Sequence, residues 1–265
     1  MRITSAEDYE RCTMCVGGGI PQFHNSYIDI QAENNMIYCE KGVRLLNCKI
    51  TFVGQGNLVY LCSNCYDYCL NVRIYNNSVF FIDENNYMNG LLNVLVQEHQ
   101  NIVIGKGGAF SYGINIMTAD GHLIYDIQSG DRLNDSKSVF IGDHVWIGQF
   151  ATILKGTIIG SGSVVGSNSL VTGKEIASNT IYGGIPANEI KRNIFWKSDC
   201  PNLFDEKKTE QYKNCNLENY IYKCHNSIDI YEIDFLLKNN VCDISEKIRF
   251  IEKLKRNKEY GRLAR

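Results

Sequence analysis

Aliphatic residues recur at every sixth position near the middle of the chain, at Ile141, Ile147, Ile153, Ile159, Val165 and Val171. A helix repeats about every 3.6 residues and a strand about every 2, so neither explains this spacing. A fixed repeat, in which no unit can bury its own apolar residue, is typical of a solenoid. The pattern predicts a prism of short strands whose aliphatic side chains point towards its axis.

A looser version of the repeat precedes these hexapeptides. Apolar strings end at Cys39, Leu61, Ile82 and Ile104, which lie 21 or 22 residues apart. Each interval is predicted to be one full coil, with corners at runs such as GQGN (54–57), where Gly and Asn accept left-handed backbone angles. We therefore predict an all-β solenoid over 28–187, after an N-terminal cap at 1–27.

One segment breaks the pattern. The anchors run from Ile104 through Phe110 to Ile116, and the next position in the series is His122. Polar and charged residues then continue until the repeat restarts near Val139. A protruding loop over about 118–138 is predicted, and loops held by a rigid scaffold commonly carry binding and catalytic groups.

Short helices are predicted outside the repeat. Ser5 is a candidate N-cap for a helix in SAEDYERC near the start of the chain. Towards the end, Asp243 precedes a helix with one apolar face, formed by Ile244, Ile248, Ile251 and Leu254. An earlier helix is predicted at about 228–237, so segment 188–265 is interpreted as a small helical appendage.

Composition narrows the possible functions. Hydrophobic residues make up 44% and charged residues 21% of the chain, and the formal net charge of −2 offers no basic excess for nucleic acid. We find no apolar run long enough for a membrane span and no signal peptide at the start, so a cytoplasmic protein is expected.

The eleven cysteines are expected to be reduced thiols in such a protein. Cys12 and Cys15, and also Cys62, Cys65 and Cys69, have spacings that metal sites use. Cysteine is also among the most readily buried residues, and Cys62 follows an apolar anchor. We therefore expect no metal.

Three strings carry a family resemblance: TADGH (118–122), IGDHVWIG (141–148) and YGGIPA (182–187). With the hexapeptides, they make the chain resemble the acyltransferases that have a left-handed parallel β-helix. More narrowly, it is similar to the O-acetyltransferases that modify sugars of bacterial capsule, exopolysaccharide and lipopolysaccharide, a group near the maltose and galactoside acetyltransferases. The resemblance implies transfer of an acetyl group from acetyl-CoA to a sugar hydroxyl.

In that family a histidine at the start of the loop removes the proton of the attacking hydroxyl, and His122 matches it. Imidazole, whose pKa is near ~6.5, is well suited to take this proton at neutral pH. Another group should fix the tautomer of the ring. The candidates are a backbone carbonyl or one of the carboxylates Asp120, Asp126, Asp131 and Asp143.

Other residues are candidates for binding the substrate. His144 is predicted to face outward near the same cleft, and Asp120 adjoins the base. Trp146 should project from the coil, because it would not fit inside beside small anchors; the family's tryptophan at this string lies by the thioester or the acceptor pocket. Asn93 lies about one turn before His122, roughly where related enzymes carry a substrate-binding Asn.

The resemblance also implies that the pantetheine arm of the cofactor runs along the coil surface between two subunits. Gly148 and Gly166 would allow its close approach, and the amides of Ala151 and Ser169 could bond it. Gly184 and Pro186 would close the last coil. The cations expected near the CoA phosphates are Lys174, Lys191 and Arg192.

The family resemblance implies a homotrimer that acts on a sugar or polysaccharide, possible association with a polysaccharide biosynthesis complex, and no metal. Two alternatives stay open at this point. One is an N-acetyltransferase of an amino sugar or nucleotide sugar, for which the N-terminal region is short. The other is a non-catalytic or metal-binding β-helix, whose metal-dependent form would need a third histidine.

Overall fold

The structure is a computed structural model that describes residues 1–12, 16–215, 221–222, 229–239 and 243–256. Its strands, numbered in chain order, stack mainly in parallel into three sheets that form the faces of a β-helix. Sheet 1 contains β1 Arg2–Ile3, β4 Tyr27–Ile30, β7 Lys49–Phe52, β9 Leu70–Ile74, β12 Leu92–Val96, β15 Ile114–Met117, β18 Thr152–Ile153 and β21 Leu170–Val171. Sheet 2 contains β2 Val16–Gly18, β5 Met36–Cys39, β8 Leu58–Leu61, β10 Val79–Ile82, β13 Asn101–Ile104, β16 Val139–Ile141, β19 Ile158–Ile159 and β22 Glu175–Ile176.

Sheet 3 contains β11 Tyr87–Met88, β14 Ala109–Phe110, β17 Trp146–Ile147, β20 Val164–Val165, β23 Ile181–Gly184 and β24 Ala187–Lys191. In the first coils the corresponding place along the chain is taken by a separate pair, β3 Gln22–His24 and β6 Arg44–Leu46. Each full coil therefore visits sheets 2, 3 and 1 in turn.

The side chains at the six-residue spacing form the interior of the prism. The anchors from Ile141 to Val171 are all fully buried, and they belong to one cluster that extends back to Ile28 and beyond. Successive coils are in register, since Ile104 pairs with Ile141 and Ile141 with Ile159. Complete burial of an aliphatic side chain stabilises a fold by about 1.5–3 kcal/mol. The repeat is thus a repeat of core positions.

Sheet 2 is buried on both of its faces in the middle of the β-helix. Every residue of β8, β10 and β13 is buried, whereas β12 of sheet 1 alternates. The outer side chains of sheet 2 pack against helices α3 (Ile230–Asn239) and α4 (Ile244–Arg256). Continuous apolar runs are typical of strands covered on both sides. The C-terminal helices therefore complete the core of this face.

Antiparallel strands lie at both ends of the β-helix. At the start β1 runs antiparallel to β4, and helix α1 (Ala6–Arg11) begins after Ser5, whose Oγ accepts the Asp8 N–H at 3.1 Å. At the far end β24 folds back along β23. Such elements occupy sheet edges that would otherwise pair with other chains.

The predicted all-β solenoid with a protruding loop and C-terminal helices is confirmed. Parallel pairing already begins at β2, so coiling starts at Val16, and the division of the chain at residue 27 stays a prediction. A 3₁₀ turn (Pro201–Leu203) and helix α2 (Glu206–Gln211) lie between the β-helix and α3. Among the described residues, none of the helices combines the length and apolarity that crossing a membrane requires.

Candidate active site

The loop 118–138 leaves the β-helix between β15 of sheet 1 and β16 of sheet 2. We call this edge of the β-helix, between sheets 1 and 2, the loop edge. Its neck is closed where the Lys137 N–H donates to the Thr118 carbonyl at 3.1 Å, and Tyr125 and Arg132 form an antiparallel bridge further out. The loop is therefore a structured arm with a fixed neck.

A carboxylate of the preceding coil holds this arm on one side. Glu98, between β12 and β13, accepts two guanidinium N–H groups of Arg132 at 3.0 and 2.8 Å, and it also accepts the Ser136 hydroxyl. These hydrogen bonds, that of Arg132 first, lower the pKa of Glu98 to about 2. A bidentate pair of this kind fixes orientation as well as charge.

A lysine of the following coil holds the arm on the other side. Lys155 Nζ donates to Asp120 Oδ2 at 2.7 Å and to the Asn134 carbonyl at 2.8 Å. The Lys155 hydrogen bond is the main cause that lowers the pKa of Asp120. The Asn134 amide donates to Asp120 Oδ2 at 3.0 Å and to the His122 carbonyl at 2.7 Å. Asn134 and Lys155 lie outside the three motif strings, so the sequence did not predict them as site residues.

The imidazole of His122 is exposed at the base of the arm. Within the described parts of the chain, the structure shows no hydrogen bond from its ring to the four carboxylates considered above. Asp120 is bound to Lys155, Asp126 caps a turn at the tip, Asp131 is exposed there, and Asp143 is buried at a different edge. The ring of His122 is therefore accessible to a substrate from solvent.

A cavity of about 370 Å³ lies beside Asp120 at the same edge. The arm and two corners of the following coils form its walls, which comprise Asp120, Leu133, Asp135, Lys137, Leu154, Lys155, Gly156, Thr172 and Gly173. The volume is in the range of small-molecule sites, and the walls combine apolar and charged groups. The loop edge thus carries both an accessible histidine and a cavity, whose wall includes Asp120, two residues before His122, but not His122 itself.

The structure places His144 elsewhere, at the edge between sheets 2 and 3. Its backbone has a φ of 53°, and its ring stacks on Trp196 with centroids 4.0 Å apart. Its Nε2 lies 3.0 Å from the Trp196 carbonyl, and its Nδ1 lies 3.3 Å from the Gly107 carbonyl. Within one chain His144 therefore does not face the cleft of His122, contrary to expectation.

Trp146 projects from the outer face of sheet 3, between Ala109 and Val164 of the neighbouring coils. It is 43% exposed, and its ring centroid lies 6.0 Å from that of Trp196. An exposed indole next to small neighbours offers a flat surface for a ligand or a second chain. The structure does not bring Trp146 to the loop edge of its own chain.

Asn93 lies on sheet 1, one coil before the strand that leads into the loop. Its Oδ1 accepts the Asn71 amide at 2.9 Å, and Asn115 stands at the same register position of the next coil. Asn93 Nδ2 in turn donates to the Ile114 carbonyl at 3.5 Å. The side chain of Asn93 therefore has partners in both neighbouring coils.

Most residues expected to line a cofactor arm have partners within the coils. A Cβ at Gly148 would lie 2.5 Å from the Ser167 nitrogen, so stacking of the coils itself requires glycine there. At Gly166 the nearest atom would be at an ordinary 3.5 Å, which leaves room. Ala151 and Ser169 are buried, and the Ala151 N–H points to the Gly148 carbonyl at 3.4 Å. The Ala151 amide is therefore turned to its own coil, and the role of Ser169 stays a prediction.

The basic residues expected near the phosphates lie close to the last strands. Lys174 Nζ donates to a backbone carbonyl of β24 at 2.6 Å, and Arg192 pairs with Glu189 at 2.6 Å. Lys191 ends β24, is exposed and forms no ion pair with the residues that the structure describes. The turn 184–186 joins β23 to β24 and has an exposed surface. Among these three cations, Lys191 is thus the one for which the described residues provide no ion-pair or hydrogen-bond partner.

In the described portion of the chain, no three side chains among His, Cys, Asp and Glu are placed to hold a metal ion. Cys62 is buried, and desolvation raises the pKa of its thiol well above the ordinary value, whereas Cys65 is exposed. Cys15 lies outside the described residues. A buried neutral thiol at Cys62 packs as a small apolar side chain.

Comparison with known proteins agrees with this architecture. The family model described as "Bacterial transferase hexapeptide (six repeats)" matches residues 138–173. The polysialic acid O-acetyltransferase of Neisseria meningitidis is 36% identical over 169 residues, which are 56% of this chain and 79% of that protein. The enzyme of the same name from Escherichia coli O1:K1 / APEC is 41% identical over 120 residues, 44% of this chain and 39% of its own length.

A solved structure extends the comparison to the fold. The crystal structure of the polysialic acid O-acetyltransferase OatWY superposes with a TM-score of 0.53 at 25% sequence identity, and the match covers 75% of this chain and 100% of that one.

The hexapeptide coils and the match to the transferase repeat define a hexapeptide-repeat transferase with a left-handed β-helix. The similarity to the Neisseria meningitidis protein extends well beyond the repeat and covers most of that protein. The chain belongs to the hexapeptide-repeat acetyltransferase family that includes the polysialic acid O-acetyltransferases. The resemblance identified from the three sequence strings is thereby confirmed.

Proposed function

We propose that this acetyltransferase moves an acetyl group from acetyl-CoA to a hydroxyl of a sugar in a bacterial surface polysaccharide, with His122 as the general base. One observation carries the proposal: in a chain of this acetyltransferase family, the arm that forms part of the cavity wall also carries an exposed histidine. The relatives named above act on polysialic acid, so a sialic acid polymer is the first acceptor to test.

The reaction needs a base because a sugar alcohol is a poor nucleophile at neutral pH. A ring nitrogen of His122 takes the hydroxyl proton while the alcohol oxygen attacks the thioester carbon. The carbon–sulfur bond then breaks, and the proton held by His122 passes to the leaving CoA sulfur. The products are the O-acetyl sugar and CoA, and the histidine returns to its neutral form.

The loop-edge cavity is the proposed place for the acceptor sugar, since Asp120 in its wall lies two residues before His122. It contains two cations, Lys137 and Lys155, and two carboxylates, Asp120 and Asp135. The cations suit a sugar that carries a carboxylate, because charge-assisted hydrogen bonds add strength and orientation. Lys155 is already bonded to Asp120, which leaves Lys137 as the more available group for an acidic acceptor.

Acetyl-CoA should lie with its pantetheine arm along the coils and its phosphates near the basic end of the β-helix. Lys191 is the strongest candidate for a phosphate partner, with Lys174 and Arg192 in support. A Cβ at Gly166 would make only ordinary contacts, the nearest at 3.5 Å, so coil stacking does not itself require glycine there. The buried amide of Ala151 is dropped from this role.

A trimer would complete the site. Exposed aromatic groups, namely Trp146 and the pair Tyr112 and Phe150 with ring centroids 4.9 Å apart, lie away from the helices that cover sheet 2. A second copy that covers them could bring its Trp146 to the His122 of its neighbour, which one chain does not do.

We place the enzyme in the cytoplasm because its donor is an intracellular metabolite, and near the machinery that builds the polysaccharide.

The test is an acceptor screen with the purified protein and acetyl-CoA. CoA release is followed with oligomeric and polymeric sialic acid, neutral hexoses and amino sugars, and the position of the new acetyl group is read by NMR. We expect an O-acetyl ester and a turnover by His122→Ala that is lower by about 100-fold or more. An amide product on an amino sugar would replace this proposal with the N-acetyltransferase, and turnover without any change in His122→Ala would remove the base.

A further inference from the structure

We propose that Asn134 is a positioning residue for His122 and that Lys155 locks it to the rigid coils. This inference rests on the proposed function, since it assumes that His122 takes the proton. Asn134 stands twelve residues after His122 in the sequence, on the returning half of the arm. Its side chain nevertheless holds the His122 segment more directly than any other side chain that the structure describes.

The Asn134 amide contacts alternate residues on both sides of the histidine. Its Nδ2 donates to Asp120 Oδ2 at 3.0 Å and to the His122 carbonyl at 2.7 Å, and its Oδ1 accepts the Ile124 N–H at 2.9 Å. Asn134 is only 8% exposed although the arm around it is open to solvent. One buried amide therefore holds the Asp120 carboxylate before the base and the backbone at and after the base.

Only a side chain with both a donor and an acceptor at this reach can make these contacts. An aspartate has the shape but no N–H to donate, and it would place a second negative charge against Asp120. An alanine leaves the Ile124 N–H and the His122 carbonyl without their partner. Either change should free the backbone of 120–124 while the rest of the arm keeps its bonds to Glu98.

Lys155 connects this local arrangement to the β-helix. It follows β18, where the coil is held in register by β15 and β21. Its ammonium bonds both Asp120 and the Asn134 carbonyl, and its side chain is 19% exposed. The ammonium thus joins the outgoing and returning halves of the arm to one point of the scaffold.

Position matters here because proton transfer needs the base within hydrogen-bond reach of the hydroxyl. A misplacement of about 1 Å caused by a change away from the reacting atoms can lower a rate about 100-fold. We therefore expect Asn134→Ala and Asn134→Asp to lower kcat by about 10- to 100-fold with the KM for acetyl-CoA nearly unchanged. Lys155→Met should act in the same direction, and Lys155→Arg should restore part of the rate.

The experiment compares these variants with His122→Ala and with Asp126→Asn. Asp126 lies on the same arm and accepts the Gln128 and Ser129 N–H groups at the tip, so its variant controls for general loosening of the loop. The chain has five histidines, so nitrogen-15 labelling of histidine alone yields a sparse spectrum in which the His122 ring can be followed. We expect its signals to broaden or split in Asn134→Ala and to be unchanged in Asp126→Asn.

The outcomes separate this inference from the proposed function. If His122→Ala is inactive but both Asn134→Ala and Lys155→Met keep kcat within about twofold, the positioning role is overturned while the base stands. A rise in KM with unchanged kcat would also overturn it, since the contacts would then serve binding. If His122→Ala keeps its turnover, the base assignment itself fails. Retained thermal unfolding temperature in Lys155→Met excludes misfolding as the cause of a lost rate.

Discussion

Two histidines of this chain stand beside an aspartate and a glycine, and their surroundings differ completely. His122 ends the string Asp120-Gly121-His122 at the edge between sheets 1 and 2, and His144 ends Gly142-Asp143-His144 at the edge between sheets 2 and 3. The first lies where the chain leaves the coil, with its ring exposed. The second lies at a corner inside the coil, with its ring stacked on Trp196.

The difference shows that availability, and not residue type, separates a candidate base from a structural histidine. At His144 both ring nitrogens face carbonyl oxygens, and Trp196 Nε1 also donates to the His144 carbonyl at 2.8 Å. At His122 the arm holds the backbone and leaves the ring open. A proton acceptor needs an open ring such as that of His122, because its nitrogen must reach the substrate.

The largest effect is expected at His122. His122→Ala should lower kcat by about 100- to 10,000-fold, the usual contribution of a positioned general base, and should leave stability nearly unchanged because the ring is exposed. Steady-state CoA release and urea unfolding measure the two quantities. If His122→Ala lowered the free energy of unfolding and left kcat unchanged, His122 would be a structural histidine like His144.

The next effect concerns helix α3, which is bonded to the loop edge. Asp234 accepts the Asn101 amide at 2.8 Å and the Ser138 hydroxyl at 2.6 Å, just where the arm rejoins β16. Asp234→Ala should lower the free energy of unfolding by about 1.5–3 kcal/mol, because hydrogen bonds to a charged group are lost in a mostly buried place. Urea unfolding measures it.

Lys238→Ala is the matched control for Asp234→Ala, since Lys238 bonds only the other oxygen of Asp234 in the described structure, at 2.6 Å. Its cost should stay below about 1 kcal/mol, as for most surface ion pairs. Equal losses in the two variants would mean that the helix is not held through the loop edge. Faster amide exchange at Lys137 in Asp234→Ala alone would sharpen the assignment.

A smaller effect is expected at the other edge. His144→Asn keeps a residue that tolerates the left-handed backbone but removes the ring that stacks on Trp196. The free energy of unfolding should fall by about 0.5–1.5 kcal/mol, the usual contribution of an aromatic pair beyond its buried area, while kcat stays within about twofold. A large loss of kcat at unchanged stability would indicate that His144 takes part in the reaction or in substrate binding.

The smallest effect is the acid response of the arm. The pKa of Glu98 is about 2 in the folded protein, below the ordinary 4.5, because Arg132 and Ser136 donate to its carboxylate. A lowered pKa stabilises the folded arm above pH 4.5, and this stabilisation is lost as the pH falls from 4.5 towards 2. The signals of the Arg132 Nη–H groups that donate to Glu98 should therefore shift over this range. Glu98→Gln should abolish the shift, and a midpoint near 4.5 in the wild type would contradict the pairing.

The sequence could predict the coils because one residue in six must point to the axis in every repeat. The spacing of Ile141, Ile147 and Ile153 therefore predicts the fold from local sequence alone, without information on long-range contacts. It could also predict the arm, since a histidine at position 122 replaces an expected aliphatic anchor and charged residues follow. Helices with an apolar stripe, such as α4, were predictable from their local period.

The sequence could not predict the partners of the arm. Asn134 and Glu98 are ordinary polar residues, and no local period marks them. Their roles depend on which corner of which coil lies beside the arm. The covering of sheet 2 by α3 and α4 had a signal in the sequence, since strings such as SVFFI are apolar at successive positions. The inward anchors alone do not reveal that the outer side chains of these strands are also buried.

By itself, then, the sequence determined the left-handed β-helix, its buried anchors, the place of the arm and the candidate base, because each of these follows from local spacing or from a motif. Only the tertiary structure decided that His144 is engaged at another edge, that Gly148 serves coil stacking and that Asn134 and Lys155 hold the His122 segment. These contacts join residues from different coils or from opposite halves of a loop. Their existence depends on how the coils stack in register, which one stretch of sequence does not encode.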